Sequence, residues 1–201
     1  MTQGNLGDTS EKELEIIDRQ DRTNKIGGWL SVLFLVVFSI VFFFIANSVN
    51  QEFNSWHSFS GRLYALIFLI TCGIATIILH EASHGVFGLV FTRKLPKFGI
   101  KGVLPYTALP PNIQLQRNKG LVTSLAPLVM ITIFALAAMP FVSGLVTRGL
   151  FVLATFNASA CSQDVLDARW LLRHDKAVFW GHDDDLVNVI YRRPSPTDNG
   201  Q

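Results

Sequence analysis

The sequence predicts an all-α integral membrane protein, with four transmembrane helices and a small cytoplasmic β-hairpin or ribbon. Three observations carry that prediction. Hydrophobic residues make up 49% of the chain and charged residues 16%, against about a quarter charged in an ordinary soluble domain; the mean hydropathy is +0.34. Four separate segments are long and apolar enough to cross a hydrocarbon core of about 30 Å, which takes about 20 residues as a helix. Lys and Arg are gathered on alternate connections between those segments, as they are in multi-pass proteins. A chain of 201 residues suits one such bundle, and the net charge of +2 says little beside its distribution.

Residues 1–27 read as a polar cytoplasmic tail of mixed sign (Glu11, Lys12, Glu13, Glu15, Asp18, Arg19, Asp21, Arg22), with a short amphipathic helix expected over Lys12–Gln20. No cleavable signal peptide is expected, because this polar stretch precedes the first apolar run and no small-residue cleavage pattern follows it. Residues 28–192 read as the membrane domain. Its spans are predicted at about 28–47, almost pure Leu, Val, Phe and Ile; 63–91; 121–139, with Pro127 in its first half; and 145–172, whose second half turns polar. Between spans two and three, the stretch from Phe98 to Tyr106 is punctuated by Gly and Pro, which predicts an extended ribbon or hairpin. Near the end, Ala177–Trp180 and Leu186–Tyr191 read as two strands around the acidic turn Gly181–Asp185. Residues 193–201 read as a disordered tail.

The charge pattern sets the orientation. Lys12, Arg19, Arg22 and Lys25 precede span one, and no Lys or Arg follows it until Arg62. Arg93, Lys94, Lys97, Lys101, Arg117 and Lys119 separate spans two and three, Arg148 alone marks the next connection, and Arg169, Arg173, Lys176, Arg192 and Arg193 follow. Both termini and the long middle segment are therefore expected in the cytoplasm, with the protein in the cell membrane. Basic residues placed by topology give no support to nucleic-acid binding. Cys72 and Cys161 fall in apolar stretches and read as reduced packing residues, not a disulfide.

The chemistry lies in span two, at Leu79-His80-Glu81-Ala82-Ser83-His84-Gly85. On a helix His80 and His84 share a face, so both imidazoles can hold one Zn²⁺, with Glu81 beside them as a general base. Three polar side chains in hydrocarbon are costly and argue for a function. Catalytic zinc usually takes three protein ligands and keeps one position open. The third must reach the same depth: His80 lies about 18 Å from the cytoplasmic end of span two, His84 one turn nearer that end, and Asp164 about 12 Å from the cytoplasmic end of span four. Asp164 in span four meets that condition and is the leading candidate. Asp167 is a rival, although its neighbours Arg169 and Arg173 offer it a surface ion pair, and His174 is a third possibility. Asn157, two turns before Asp164, is a candidate to bind substrate or an oxyanion; an interhelical hydrogen bond is the equal alternative. Gly85 and Gly88 permit close helix approach, Ser83 reads as a packing residue, and Pro127 could kink span three toward the site.

The residues His80-Glu81-Ala82-Ser83-His84-Gly85, Pro96-Lys97-Phe98-Gly99, Ser124-Leu125-Ala126-Pro127 and Asn157 through Asp164 together resemble the small four-span membrane proteins known as putative zincin peptidases. These are similar in plan to the site-2 proteases. The resemblance spans roughly Trp29 to Tyr191, and it implies His80, His84 and Asp164 as zinc ligands with Glu81 as general base. The later helix differs from the Asn-Pro-Asp-Gly style of the site-2 proteases: Val165 follows Asp164, and no proline follows Asn157.

The expected function is a membrane-embedded zinc metalloendopeptidase acting on peptides or membrane proteins near the bilayer. The ribbon at Phe98–Tyr106 could hold an extended substrate by strand addition. The alternative is a noncatalytic, zinc-stabilised membrane scaffold that binds clients, which would need the ligands but not Glu81. A metal transporter fits less well, because span one offers almost no polar positions. Two imidazoles and a carboxylate also accept other divalent metals.

Overall fold

The computed structural model describes residues 15–20, 24–54, 62–101, 104–110, 113–182 and 187–193. It is mostly helical, with a small sheet. Strand β1 (Glu15–Arg19) leads into α1 (Asn24–Val49) and α2 (Arg62–Thr92). Strands β2 (Lys97–Lys101), β3 (Leu104–Ala108) and β4 (Leu115–Gln116) come next, then α3 (Arg117–Ala138). A 3₁₀ turn (Met139–Phe141) leads to α4 (Gly144–Ala160) and α5 (Ser162–Leu172), and β5 (Phe179–His182) and β6 (Asn188–Arg192) close the order.

Three helical stretches, Ile26–Val49, Leu63–Thr92 and Arg117–Phe141, are long and apolar enough to cross a membrane. They hold their apolar side chains outward: Trp29, Phe44, Ile67, Ile78 and Phe134 are all more than half exposed. A water-soluble monomer does not present apolar surface on that scale, so the surface is consistent with membrane association. The fourth predicted span is not one rod. Helices α4 and α5 meet at Cys161 with a bend of 43°, and the pair together has the length and composition of a broken span. The break coincides with the change from apolar α4 to a helix carrying Gln163, Asp164 and Asp167.

The hairpin expected between spans two and three is present, with Phe98 opposite Thr107 and Ile100 opposite Pro105. The two C-terminal strands also pair, Trp180 opposite Ile190; the acidic turn expected between them, Asp183–Asp185, lies outside the described residues, as do the tail beyond Arg193 and residues 1–14. The fold carries more β-structure than the predicted ribbon. An antiparallel sheet of four strands runs in the order β1-β6-β5-β4. The amphipathic helix expected over Lys12–Gln20 is replaced by β1, whose β-branched pair Ile16-Ile17 suits an extended chain and whose register sets Ile16 opposite Tyr191. Part of the supposed polar tail is thus a strand of the sheet.

Two apolar clusters fill the two ends. Phe42, Ala46, Phe53, Ala135, Met139, Ala154 and Ala158 pack α1, α3 and α4 against one another and against the turn after α1. Leu109, Leu115, Leu171, Val178, Trp180 and Ile190 join the sheet to the helices at the opposite end. At the first end Asn50 donates to the carbonyls of Met139 and Val142 and to Thr147 Oγ1. Arg148, expected as a loop charge, is instead buried within α4. It donates to the carbonyls of Phe53 and Glu52 at 2.9 and 2.8 Å, which meets the need of a buried guanidinium for acceptors.

Candidate metal centre

A cavity of about 400 Å³ lies between α2, α3, α5, the β2–β3 hairpin and the sheet. His80, Glu81, His84 and Asp164 all line it. The spacing of four along α2 brings His80 and His84 onto one face, ring centroids 5.0 Å apart. Asp164 stands opposite, in the first turn of α5. His80 Nε2 is 3.4 Å from Asp164 Oδ2, and His84 Nε2 is 3.5 Å from Asp164 Oδ1. Each imidazole meets its own carboxylate oxygen. The three side chains are nearly enclosed, at 11%, 15% and 14% exposure.

The donor set fits a zinc ion on two counts. Ligands about 2.1 Å from a tetrahedral ion stand about 3.4 Å from one another, close to the separations found here. In addition, Asp164 Oδ2 is buried and accepts no hydrogen bond among the described residues, an arrangement that costs about 1–3 kcal/mol or more for a charged group unless something else satisfies it. The far side of each ring is engaged. His80 Nδ1 lies 3.1 Å from Asn157 Oδ1, and His84 Nδ1 lies 2.9 Å from the Thr123 carbonyl. Such contacts fix a ligating imidazole with its Nε2 lone pair toward the ion.

Cysteine 161 was not anticipated at the site. Its sulfur, the Asp164 carboxylate and His80 form a second possible donor group, with ligand atoms within 4.8 Å of one another. The sulfur, however, approaches Nδ1 of His80, at 3.8 Å. That is the edge of the ring held by Asn157, whereas Asp164 and His84 gather at the Nε2 edge. The His80–His84–Asp164 set therefore uses one consistent side of both rings. Nothing in the local sequence distinguishes Cys161 from a packing residue, and both cysteines are free thiols.

The rival candidates have other partners. Asp167 is buried and accepts from Gln163 Nε2, from Gln20 Nε2 and from Asn188 Nδ2, at 2.9, 2.9 and 2.7 Å. The surface ion pair expected for it is not how α5 presents it. His174 Nε2 lies 2.9 Å from Asp18 Oδ2, joining the end of α5 to β1. Asn157, fully buried, is absent from the cavity wall and has both ends of its amide occupied: Oδ1 by His80 and Nδ2 by the Pro127 carbonyl at 2.9 Å. It supports the site from behind His80, so the interhelical hydrogen bond is the reading the geometry favours over an oxyanion contact.

Glu81 lies on the cavity wall, and its backbone carbonyl accepts from Thr107 Oγ1 at 3.0 Å, which ties β3 to the motif. Gly85 permits the rest of that approach: a Cβ there would stand 2.6 Å from the ring of Phe98 and 3.4 Å from Pro96. Ser83 returns its hydroxyl to the Leu79 carbonyl, as a packing residue does.

A family model whose description reads "Putative zincin peptidase" matches residues 73–179. That span runs from the middle of α2 to the start of β5 and contains His80, Glu81, His84, Asn157 and Asp164. No curated protein and no solved structure matches the chain.

Proposed function

The chain belongs to the putative zincin peptidase family, and from that premise we propose that it is a membrane-embedded zinc metalloendopeptidase. One observation carries the reading: two imidazole Nε2 atoms converge on the two oxygens of one buried carboxylate, with Glu81 on the wall of the same cavity. His80, His84 and Asp164 would hold the ion. When bound, zinc lowers the pKa of water to about 7 and polarises a carbonyl. Glu81 would accept the proton of the attacking water and return it to the leaving amine, a role worth about 10²–10⁴ in rate.

The substrate proposed is a peptide or membrane-protein segment presented in extended form near the bilayer surface. Residues Pro105–Ala108 of β3 share the cavity with the ligands, which supports strand addition as the way a scissile segment is held. For the bilayer we propose four spans, the α4–α5 pair being the fourth, in a multi-pass cell-membrane protein with both termini in the cytoplasm. The Lys and Arg pattern supports that orientation.

The test is a pair of variants in the detergent-purified full chain. His80→Ala is expected to lose bound zinc, measured by elemental analysis. Glu81→Gln is expected to retain zinc while losing cleavage of a quenched-fluorescence peptide library or of co-reconstituted membrane proteins. A Glu81→Gln protein that cleaves at the parental rate would overturn the mechanism. Parental protein that binds zinc and cleaves nothing would favour the scaffold.

A further inference from the structure

The hydrogen bonds that orient the two imidazoles lead back to α3. Pro127 is buried inside that helix. A proline has no N–H, so the carbonyl four residues before it lacks its helical donor. That carbonyl belongs to Thr123, and it is the acceptor that His84 Nδ1 meets at 2.9 Å. The Thr123 hydroxyl does not compete for it, because it donates to the Lys119 carbonyl. The carbonyl of Pro127 itself accepts from Asn157 Nδ2 at 2.9 Å. With its nitrogen turned to that carbonyl, the Asn157 amide presents its oxygen to His80 Nδ1 at 3.1 Å.

We propose that Pro127 is a positioning residue of the metal centre: by freeing the Thr123 carbonyl to accept from His84 Nδ1–H, it turns the Nε2 edge of that ring toward Asp164. Thr123 carries the effect to His84, whereas Asn157, held by a backbone carbonyl that any residue at position 127 supplies, positions His80 independently of the proline ring. Acceptors of this kind behind a ligating imidazole typically change metal affinity 10–100-fold. A proline serving only to bend α3 would have no such effect on the His84 ring. The proposal rests on the metal reading above for its consequence, but the contact of His84 Nδ1 with the Thr123 carbonyl exists without metal.

Two measurements test it on the detergent-purified full chain. In the metal-free protein, ¹⁵N spectra of labelled histidine are expected to show His80 and His84 protonated on Nδ1. A His84 ring without a proton on Nδ1 in the parental protein overturns the proposal, whatever any variant does. Pro127→Ala restores an N–H that can bond to the Thr123 carbonyl. It is expected to shift His84 toward the Nε2–H form and to weaken zinc 10–100-fold in chelator competition, without lowering the unfolding midpoint of the metal-free protein. Asn157→Leu is expected to do the same at His80. An unchanged His84 tautomer with unchanged zinc affinity in Pro127→Ala overturns it. Should the parental protein bind no zinc, the metal reading fails while the spectra still decide the tautomers.

Discussion

Asn188 Nδ2 on β6 donates to Asp167 Oδ2 on α5 at 2.7 Å, three residues along the helix from Asp164. This bond, with those from Gln20 and Gln163, commits Asp167 to the sheet. Two acids on one helix are thereby assigned opposite duties: Asp164 faces the imidazoles with an unsatisfied oxygen, and Asp167 joins β1, β6 and α5.

The two carboxylates should accordingly separate on substitution. Asp164→Asn removes the charged donor and is expected to abolish zinc binding and the stability that zinc adds, while unfolding like the parental protein when both are metal-free. Asp167→Asn keeps zinc but sets an NH₂ group against amide donors, so it is expected to destabilise the protein by about 1–3 kcal/mol. Zinc content and denaturant unfolding of the two variants provide the comparison. Loss of zinc from Asp167→Asn alone would reverse the assignment.

Cys161 permits a sharper check on which atoms ligate. Its sulfur stands near Nδ1 of His80, so an ion at the Nε2 edges should not touch it. Cys161→Ala is expected to retain one zinc per chain. The cobalt-substituted parental protein is expected to lack a sulfur-to-cobalt charge-transfer band. Such a band, removed by the substitution, would move the centre to the His80–Cys161–Asp164 set.

How much of this was legible in the sequence follows from how local each signal is. The apolar segments and the histidine pair are written in contiguous residues, and their helices appear within a few positions of the expected bounds. The pairing of Glu15 with Arg192 spans nearly the whole chain. No local pattern announces it, and five residues with two isoleucines fit a helical or an extended reading equally. Strand β4 is only two residues long and exists because Trp180 lies opposite Leu115. Asp167 was read against its helical neighbours Arg169 and Arg173, whereas its partners Gln20 and Asn188 come from distant strands. The function of Pro127 was hidden for the same reason: a freed carbonyl has meaning only once His84 is seen beside it.

The end of the bundle away from the sheet should tolerate change without loss of metal. At Gly144 an added Cβ would lie 2.6 Å from both the carbonyl oxygen and the Cβ of Glu52, and a backbone atom cannot swing away as a side-chain tip can. Gly144→Ala is expected to destabilise the protein by about 1–3 kcal/mol through overpacking. Its zinc affinity should match the parental value, because the Asn50, Glu52 and Arg148 contacts serve the turn between the first two helices. Thermal unfolding with and without chelator separates the two effects.

Removal of the metal should in turn weaken the fold, and by an amount set by mass action. Without a cation, Asp164 Oδ2 is buried with no hydrogen-bond partner among the described residues, and the two carboxylate oxygens face the two imidazole Nε2 atoms at 3.4 and 3.5 Å. An ion that binds the native state and not the unfolded chain adds about 2.7 kcal/mol when its free concentration is 100 times Kd. The unfolding midpoint is therefore expected to fall on chelation and to recover when zinc is restored. Its dependence on free zinc should follow the logarithm of concentration above Kd. His84→Ala should show a low midpoint that zinc does not raise, since one ligand and the Thr123 anchor are lost together. A parental midpoint indifferent to chelator and to added zinc, in protein shown to be folded, would mean that the three side chains meet for some purpose other than holding a metal.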